Sequence, residues 1–430
     1  MTLRKHSPAF ALTLLFAVNF MNFFDRNIFG AVVEPIRHEW SLNDVQIGWL
    51  STAFTLLYAI VGVPLGRLAD RWRRTWILSL GLAAWSLLTA ASGLAWNFTS
   101  FFATRLGVGI GEASCAPAAN SLIGDYYPAR RRGLALSIFM LGLPFGNFFG
   151  TFLSGRIAAV HGWRSAFFIA CLPGLLLAVL VLLIAEPLRG AAESAPPPAS
   201  PPPAPHWSSV LRIPTLRWII LSGALFHFNS YALNTFLPAF LMRFHGLSLS
   251  RASATSALVM GATGLPGLLL GGWAADRAHV WRRDGRLLIS AAAILLCAPA
   301  IFVALLRPAG AAVSFALLAG FGYLLAHVYF SSVYAVIQDV VAPPLRGTAL
   351  ALYFFGMYLL GGSFGPVLTG RLSDFFARHA MTGAHAPAMT ESFRTAGLHS
   401  ALYAVPLSYL LLVAVLLAAA RSMSSEGATL

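Results

Sequence analysis

Charged residues are scarce in this sequence. They make up 10% of the 430 residues, whereas hydrophobic residues make up 58%. Soluble domains carry roughly a quarter of charged residues, and no soluble core could bury so much apolar surface. The excess of apolar residues extends along the whole chain, which excludes a soluble or disordered protein. The composition therefore predicts a protein that crosses a membrane many times.

Cysteine is almost absent as well. Cys115, Cys171 and Cys297 lie in apolar stretches without the spacing of a metal site or a redox pair, so we expect them to pack as small core residues. The histidines also lack metal-ligand spacing. The glycine-rich run at 107–111 lies inside an apolar stretch, and there is no Walker loop. The sequence therefore predicts no enzyme, no cofactor and no ATP-driven pump.

Apolar stretches of bilayer length occur in two groups of six. The first six spans lie at 8–33, 45–66, 75–95, 98–123, 133–157 and 164–186, and the second six at 215–242, 250–275, 286–306, 310–339, 346–372 and 397–420. Between the groups, the proline-rich stretch 193–205 is typical of an extended tether. These features predict an all-α polytopic membrane protein of 12 transmembrane helices. Its predicted parts are a six-helix bundle at 1–188, a cytoplasmic linker at 189–213 and a second six-helix bundle at 214–430.

The basic residues predict the orientation. With both termini in the cytoplasm, the inner segments carry 18 basic residues and the outer segments 9, in agreement with the positive-inside rule. These residues lie in short clusters between apolar runs, so the net charge of +14 indicates orientation and no binding of nucleic acid. The short loops and the preference for arginine over lysine favour a bacterial protein, and hence the inner membrane.

The two halves repeat each other. The loop 66–71 (GRLADR) after the second span is echoed 206 positions later by 272–277 (GWAADR) after the eighth. The segment 154–156 at the end of the fifth span is echoed 215 positions later by 369–371. A duplicated six-helix unit predicts two bundles with a site between them near the midplane, exposed to each side in turn as the bundles rock.

The repeated loops also predict a cytoplasmic gate. Acids and arginines at helix ends would pair while the inner mouth is closed and separate when it opens. A topological role for the arginines is compatible with this one. The predicted gate residues are Asp70, Arg71, Arg74, Asp276 and Arg277.

The loop 66–74 resembles the signature loop of the major facilitator superfamily, and its partial copy after the eighth span strengthens the likeness. Within that superfamily, most of residues 19–165 resemble the Spinster family. The residues that carry this likeness are Asn22-Phe-Phe-Asp25-Arg26, loop 66–71, Arg105-Leu-Gly-Val-Gly-Ile-Gly111-Glu112-Ala113-Ser114 and Asp125-Tyr-Tyr-Pro128. The resemblance implies the major facilitator fold and transport of lysolipids or sphingolipid-type molecules, which several members are thought to couple to protons. The resemblance also implies that Asp25 corresponds to the family's acidic residue in span one. Arg105 and Glu112 correspond to the family's pair of charged residues in span four.

Four ionisable residues lie at bilayer depth: Asp25, Arg26, Arg105 and Glu112. An ionised group there costs several kcal/mol unless it faces a partner or a wet cavity. Arg105 and Glu112 share one face of span four, about 10 Å apart along its axis. We predict an ion pair between Asp25 and Arg105, with Arg105 also receiving an anionic head group, because its guanidinium is a planar fork of donors. Glu112, without a basic neighbour in its own span, is a predicted proton carrier.

Two alternatives remain for these charges. They could pair only to hold spans one and four together, although four such residues are costly as packing. Arg26 directly follows Asp25, so its side chain points to another face of the helix. A side chain that reaches the membrane interface is therefore at least as consistent with the sequence as one that contacts the ligand.

The second half has polar helix faces without charge. His227, Tyr231 and Asn234 follow the helical repeat on span seven, as do His327, Ser331 and Tyr334 on span ten. Soft and aromatic side chains on spans eight and eleven would suit an acyl chain. For any one residue, ordinary packing is the alternative. The predicted substrate-binding residues are Arg105, Asn22, His227, Tyr231, Asn234, His327, Ser331, Tyr334, Met260, Tyr353 and Met357.

Together these features predict a proton-coupled secondary carrier that moves a lysolipid or sphingolipid-like substrate by alternating access. Asp25 and Glu112 would carry the coupling protons, membrane lipids would surround the protein, and we expect a monomer. The nearest alternative is a carrier of small organic anions or drugs, which Arg105 would serve equally well. A passive lipid scramblase or a membrane scaffold is the alternative of another class, and it would need neither acid.

Overall fold

The structure, a computed structural model, describes residues 7–192, 207–342 and 345–427. All regular structure in these residues is helical. The chain forms two compact units: unit 1 comprises residues 1–42 and 53–201, and unit 2 comprises residues 43–52 and 202–430. The proline-rich part of the predicted linker lies outside the described residues.

Unit 1 holds most of the first six spans. Its helices are α1 (Pro8–Ala31), α2 (Val33–Trp40), α3 (Asp44–Arg71), α4 (Arg74–Gly93), α5 (Phe98–Glu112), α6 (Cys115–Tyr126), α7 (Ala129–Met140), α8 (Gly142–His161) and α9 (Trp163–Val181). The start of α3, residues 44–52, belongs to unit 2. The short helix α2 was not predicted, because its eight residues are too few to span a bilayer.

Unit 2 holds the other six spans, and two of them contain a π-helical segment. Its helices are α10 (Pro214–Arg243), α11 (Leu249–Ala257), the first π segment (Leu258–Ala262), α12 (Gly264–Trp281), α13 (Gly285–Leu305), α14 (Ala312–Val340), α15 (Arg346–Gly356), the second π segment (Met357–Gly362), α16 (Phe364–Gly383), α17 (Glu391–Leu402) and α18 (Ala404–Gly427). Each predicted span corresponds to one helix or to two or three in succession, which confirms the prediction of twelve spans.

Spans four and seven are the least typical of membrane helices. In the described part of the chain, ten other stretches are long and apolar enough to cross a bilayer. Span four is interrupted after Glu112, which leaves two pieces of 15 and 12 residues, α5 and α6. Span seven, α10, is long enough, but His227, Asn229 and Asn234 make it more polar. These two exceptions carry predicted site residues.

Glycines bring α1 and α8 of unit 1 into backbone contact. A β-carbon built on Gly142, Gly146 or Gly150 would lie 2.7, 2.6 or 2.6 Å from a backbone atom of Phe20 or Phe24. An alanine at any of these positions would push the two helices apart. The glycines therefore serve close helix packing, as small residues commonly do in membranes.

Arg74, at the start of α4, ties three chain segments of unit 1 together. Its guanidinium donates to Glu186 Oε1 at 2.8 Å, to Ser121 Oγ at 3.0 Å and to the carboxylate of Asp125. The Arg74 side chain is 1% exposed. Because every one of these partners lies in unit 1, Arg74 is an internal anchor in this structure, and its gate role stays a prediction.

Unit 2 contains the matching anchor at Arg286, 212 positions after Arg74. Arg286 donates to Asp276 Oδ1 at 3.0 Å and to Asp339, which lies 214 positions after Asp125. The predicted site did not include Arg286, although its spacing matches the other repeats. Asp276, a predicted gate residue, is thus a partner of Arg286.

The remaining gate residues stay a prediction. Arg71 is exposed, and the Arg277 guanidinium lies 5.6 Å from the centre of the Trp281 ring. The side chain of Asp70 lies outside the described part of the structure.

Replacing Arg74 with leucine should destabilise the protein by about 2 kcal/mol, because it leaves two half-buried carboxylates without a counter-charge. The expected result is a lower melting temperature of the purified protein in detergent. Arg71→Leu, which removes a nearby exposed arginine, is the matched control and should melt like the wild type. Equal melting temperatures of the two variants would contradict the anchor role.

Acid should weaken the same anchor through Glu186, which lies beyond the end of α9. Burial alone would raise the pKa of Glu186, but hydrogen bonds from Arg74 and Thr75 outweigh burial and lower this pKa below 4.5. The carboxylate therefore stabilises the folded state above its ordinary pKa, and this contribution disappears as the pH falls through the lowered value. When the pH is lowered from about 7 to about 3.5, the melting temperature of Glu186→Gln should fall by less than that of the wild type. Parallel losses would argue against a contribution from Glu186.

Candidate functional site

Unit 1 contains a buried cluster of four ionisable side chains from two helices. Asp25 and Arg26 lie on α1, and Arg105 and Glu112 lie on α5. Asp25 is 1% exposed, Arg105 2% and Glu112 0%. Two acids and two arginines give the cluster a formal charge of zero. The structure therefore groups Asp25, Arg105 and Glu112 as the sequence predicts, and it adds Arg26 to the group, which the sequence analysis places elsewhere on the helix.

Glu112 is paired with Arg26, contrary to expectation. Arg26 Nε donates to Glu112 Oε2 at 2.8 Å, and Asn22 Nδ2 donates to the same oxygen at 3.1 Å. The Arg26 side chain is 6% exposed, so the interfacial position considered for it is wrong. Adjacent residues of a helix diverge by about 100°, but the long arginine side chain can turn back toward the face that Asn22 occupies.

Aromatic rings from α1 and α3 surround the two guanidiniums. Arg26 Cζ lies 4.3 Å from the ring centre of Tyr58, 4.8 Å from that of Phe23 and 5.1 Å from that of Phe54. Arg105 Cζ lies 5.3 Å from the ring centre of the same Phe54. These are distances at which a cation is attracted to an aromatic face. The predicted site did not include Phe54 and Tyr58, although their spacing of one helical turn was a usable signal.

A glycine of α5 allows Phe54 to approach the cluster. A β-carbon built on Gly109 would lie 2.5 Å from the backbone oxygen of Phe54. The backbones of α5 and α3 are therefore in contact at this point, and Arg105 and Glu112 lie on either side of Gly109 in the sequence. Close contact of the two backbones brings the ring and the charges together.

Asp25 and Arg105 are the two members of the cluster that form no ion pair within the described residues, and Glu112 Oε1 also lacks a hydrogen-bond partner there. Within the described residues, neither carboxylate oxygen of Asp25 has a hydrogen-bond partner, and neither do Nε and Nη1 of Arg105. The two groups interact electrostatically, but no ion pair joins them, so the predicted Asp25–Arg105 pair is wrong for this structure. Trp85 lies beside Asp25, yet its indole N–H makes no hydrogen bond of acceptable geometry.

In unit 2, a group of rings surrounds His227. The His227 ring centre lies 5.7 Å from that of Phe330, 6.0 Å from that of Tyr358 and 6.2 Å from that of Tyr231. Tyr358 belongs to the second π segment, whose irregular turn was not predicted. The structure therefore brings the polar face of α10 together with span eleven.

Other predicted residues of unit 2 already have hydrogen-bond partners. Ser331 Oγ donates to the Leu268 carbonyl at 2.8 Å, which links α14 to α12. The Tyr353 hydroxyl lies 3.2 Å from that of Tyr329, and Tyr353 is fully buried. These contacts favour packing for Ser331 and Tyr353, whose substrate roles stay predictions.

The remaining predicted residues lie near these elements. Tyr334 packs edge-on against Tyr353, with ring centres 5.8 Å apart, and Asn234 is half-buried on α10. Met260 lies in the first π segment and Met357 begins the second. His327 Nδ1 donates to the Tyr323 carbonyl at 2.8 Å. In the described ranges, no group of three or more His, Cys, Asp and Glu side chains is arranged to hold a metal ion.

The chain is similar to known proteins over most of its length. The model of the Major Facilitator Superfamily matches residues 15–366. An "MFS-type efflux pump" of Mycolicibacterium smegmatis is 32% identical over 379 residues, which cover 86% of each chain. The mouse "Protein spinster homolog 3" is 30% identical over 394 residues, 86% of this chain and 75% of the mouse protein.

A solved structure agrees with these relatives. The crystal structure of a bacterial homologue of the human lysosomal transporter Spinster, inward-facing and unoccupied, matches with a TM-score of 0.87 at 27% identity. The match covers 97% of this chain and 98% of that one. Together with the helical architecture, these similarities show that the chain is an integral, multi-pass membrane transporter of the Spinster family within the major facilitator superfamily.

Proposed function

We propose that this protein is a proton-coupled secondary carrier of the bacterial inner membrane. It moves an amphipathic substrate with an anionic head group, such as a lysophospholipid or a sphingosine-1-phosphate-like lipid, by alternating access. The observation that carries this proposal is the buried guanidinium of Arg105, which lies near the Asp25 carboxylate while both lack hydrogen-bond partners in the described part of the chain.

The rest of unit 1 supports a functional role for this pair. Arg74 and Glu186, which hold helices of unit 1 together, are joined by a direct hydrogen bond, whereas neither carboxylate oxygen of Asp25 has one within the described residues. An unsatisfied ionised group in an apolar span costs several kcal/mol. A ligand that brings its own negative charge would offset this cost, and the guanidinium fork suits a phosphate or a carboxylate.

Charge balance supports the coupling to protons. The four-residue cluster has a formal charge of zero, so a bound monoanionic head group would leave one uncompensated negative charge in an apolar environment. One proton on Asp25 or Glu112 would restore neutrality. Asp25 interacts electrostatically with both Arg105 and Glu112, so either acid is placed to respond when Arg105 binds an anion.

Unit 2 supports an apolar tail on the substrate. Met260 and Tyr358 are half-buried, and both lie in the π segments. Thioether and aromatic side chains adapt to flexible apolar groups such as acyl chains.

A second candidate is export of drugs or small organic anions. The similarity to the mycobacterial efflux pump favours it, and Arg105 would serve such substrates as well. Liposomes with an internal pH dye separate the two candidates when lysophospholipids, sphingoid phosphates and organic anions are added in turn. A proton signal with the lipids supports the proposal, whereas a signal with the small anions alone supports the alternative.

Glu112→Gln should abolish pH-dependent transport in these liposomes, because the amide cannot exchange a proton with the cluster. Asp25→Asn should do the same if Asp25 shares the coupling role. Glu391→Gln, which alters an exposed acid, is the matched control and should keep the proton signal. Unchanged pH dependence of uptake in Glu112→Gln would remove Glu112 from the coupling mechanism.

Arg105→Lys should raise the KM for the anionic substrate by about tenfold, since lysine keeps the charge but loses the fork of donors, which is worth roughly 1–2 kcal/mol. Initial rates of uptake over a range of substrate concentrations measure this change. Arg371→Lys, at an exposed arginine, is the control. An equal KM in both variants would show that Arg105 does not receive the head group.

A further inference from the structure

Unit 2 contains an internal repeat centred on two histidines. His227 on α10 and His327 on α14 lie 100 positions apart. Each Nδ1 is hydrogen-bonded to the carbonyl oxygen four residues earlier, Gly223 at 3.2 Å and Tyr323 at 2.8 Å. The two residues are 8% and 9% exposed. The same local geometry therefore occurs in spans seven and ten.

The two π segments repeat at a matching interval. They begin at Leu258 and Met357, 99 positions apart. Each is followed by a hydroxyl residue that bonds back to it: Thr263 Oγ1 donates to the Val259 carbonyl at 2.6 Å, and Ser363 Oγ donates to the Tyr358 carbonyl at 3.0 Å. Such π turns are rare in proteins, and those that occur often lie at functional sites.

Each histidine lies against the π turn of the other repeat. The His227 ring is 6.0 Å from that of Tyr358 in the second π segment. Gly264 follows the first π segment, and a β-carbon built on it would lie 2.9 Å from His327 Nε2. Glycine therefore leaves space at this nitrogen that any other residue would occupy.

The hydrogen bonds fix the tautomer of both rings. A carbonyl oxygen only accepts, so each Nδ1 must carry the hydrogen, and the neutral ring then has its lone pair on Nε2. In the described ranges, neither Nε2 has a hydrogen-bond partner. An acceptor without a donor in the protein is suited to a ligand that brings one.

We propose that the Nε2 atoms of His227 and His327, each beside a π turn, are two acceptor subsites that bind hydroxyl or amino groups of the substrate. This inference rests on the proposed function and adds to it the selectivity for the uncharged part of the head group. The histidines recognise the donor groups of the substrate. A site built to bind a hydroxyl discriminates strongly against an analogue that lacks it.

The test compares lysophosphatidate with its deoxy analogue, which lacks the free hydroxyl, in liposome uptake. The wild type should prefer the hydroxylated lipid by about tenfold, the value of one lost hydrogen bond. Replacing the histidine that accepts from this hydroxyl, by His227→Phe or by His327→Phe, should reduce this ratio toward one, while uptake of the deoxy analogue persists. The Gln variants retain an acceptor and should recover part of the ratio.

A glycine variant tests the His327 subsite without changing the histidine. Gly264→Ala places a methyl group against Nε2 and should reduce the ratio as His327→Phe does. Gly272→Ala on the same span is the control, because its β-carbon would lie 3.9 Å from the nearest neighbour, Ser331.

Equal transport of the two lipids by the wild type would overturn the inference, and so would histidine variants that lower both rates while keeping the ratio. If neither lipid is transported, the proposed lipid transport fails on its own account. The affinities of the purified protein for glycerol phosphate and for propyl phosphate then test the subsites directly. Equal affinities would overturn the inference.

Discussion

An ionised side chain inside an apolar helix bundle needs an opposite charge or water beside it, and this constraint determines the polar contacts of unit 1. Arg74 forms ion pairs with Asp125 and Glu186, and Glu112 forms one with Arg26, with donor and acceptor atoms in direct contact. These contacts pair the charges without a ligand, although Glu112 Oε1 keeps no hydrogen-bond partner among the described residues. Asp25 and Arg105 stand apart from them, because the described protein gives them electrostatic neighbours but no hydrogen bonds.

Duplication explains why the two units resemble each other at their ends and differ inside. The Arg74 anchor has its counterpart in Arg286, at the spacing of the other repeats. The interiors of α10 and α14, by contrast, carry histidines, tyrosines and serines where α1 and α5 carry charge.

The spans were predictable from the sequence because the bilayer sets their length and excludes charge from them. The partner of Glu112 was not predictable in this way, because it depends on how α1 and α5 pack and on the reach of the Arg26 side chain. The π segments could not be predicted for another reason, because one extra residue in a helical turn leaves the hydropathy of a span unchanged. Arg286, however, could have been found from the repeat, since its spacing from Arg74 follows the other echoes.

Phe54 lies close both to Arg26, which has an ion-pair partner, and to Arg105, which has none within the described residues. One ring faces both guanidiniums, at 5.1 Å from Arg26 and 5.3 Å from Arg105. A cation over an aromatic face gains about 0.5–2 kcal/mol, less than the several kcal/mol that an unpaired buried charge costs. The ring is therefore strong enough to hold Arg105 in place and too weak to satisfy it. A carboxylate in the same position would have closed the site, whereas an aromatic ring leaves Arg105 oriented and still in need of an anion.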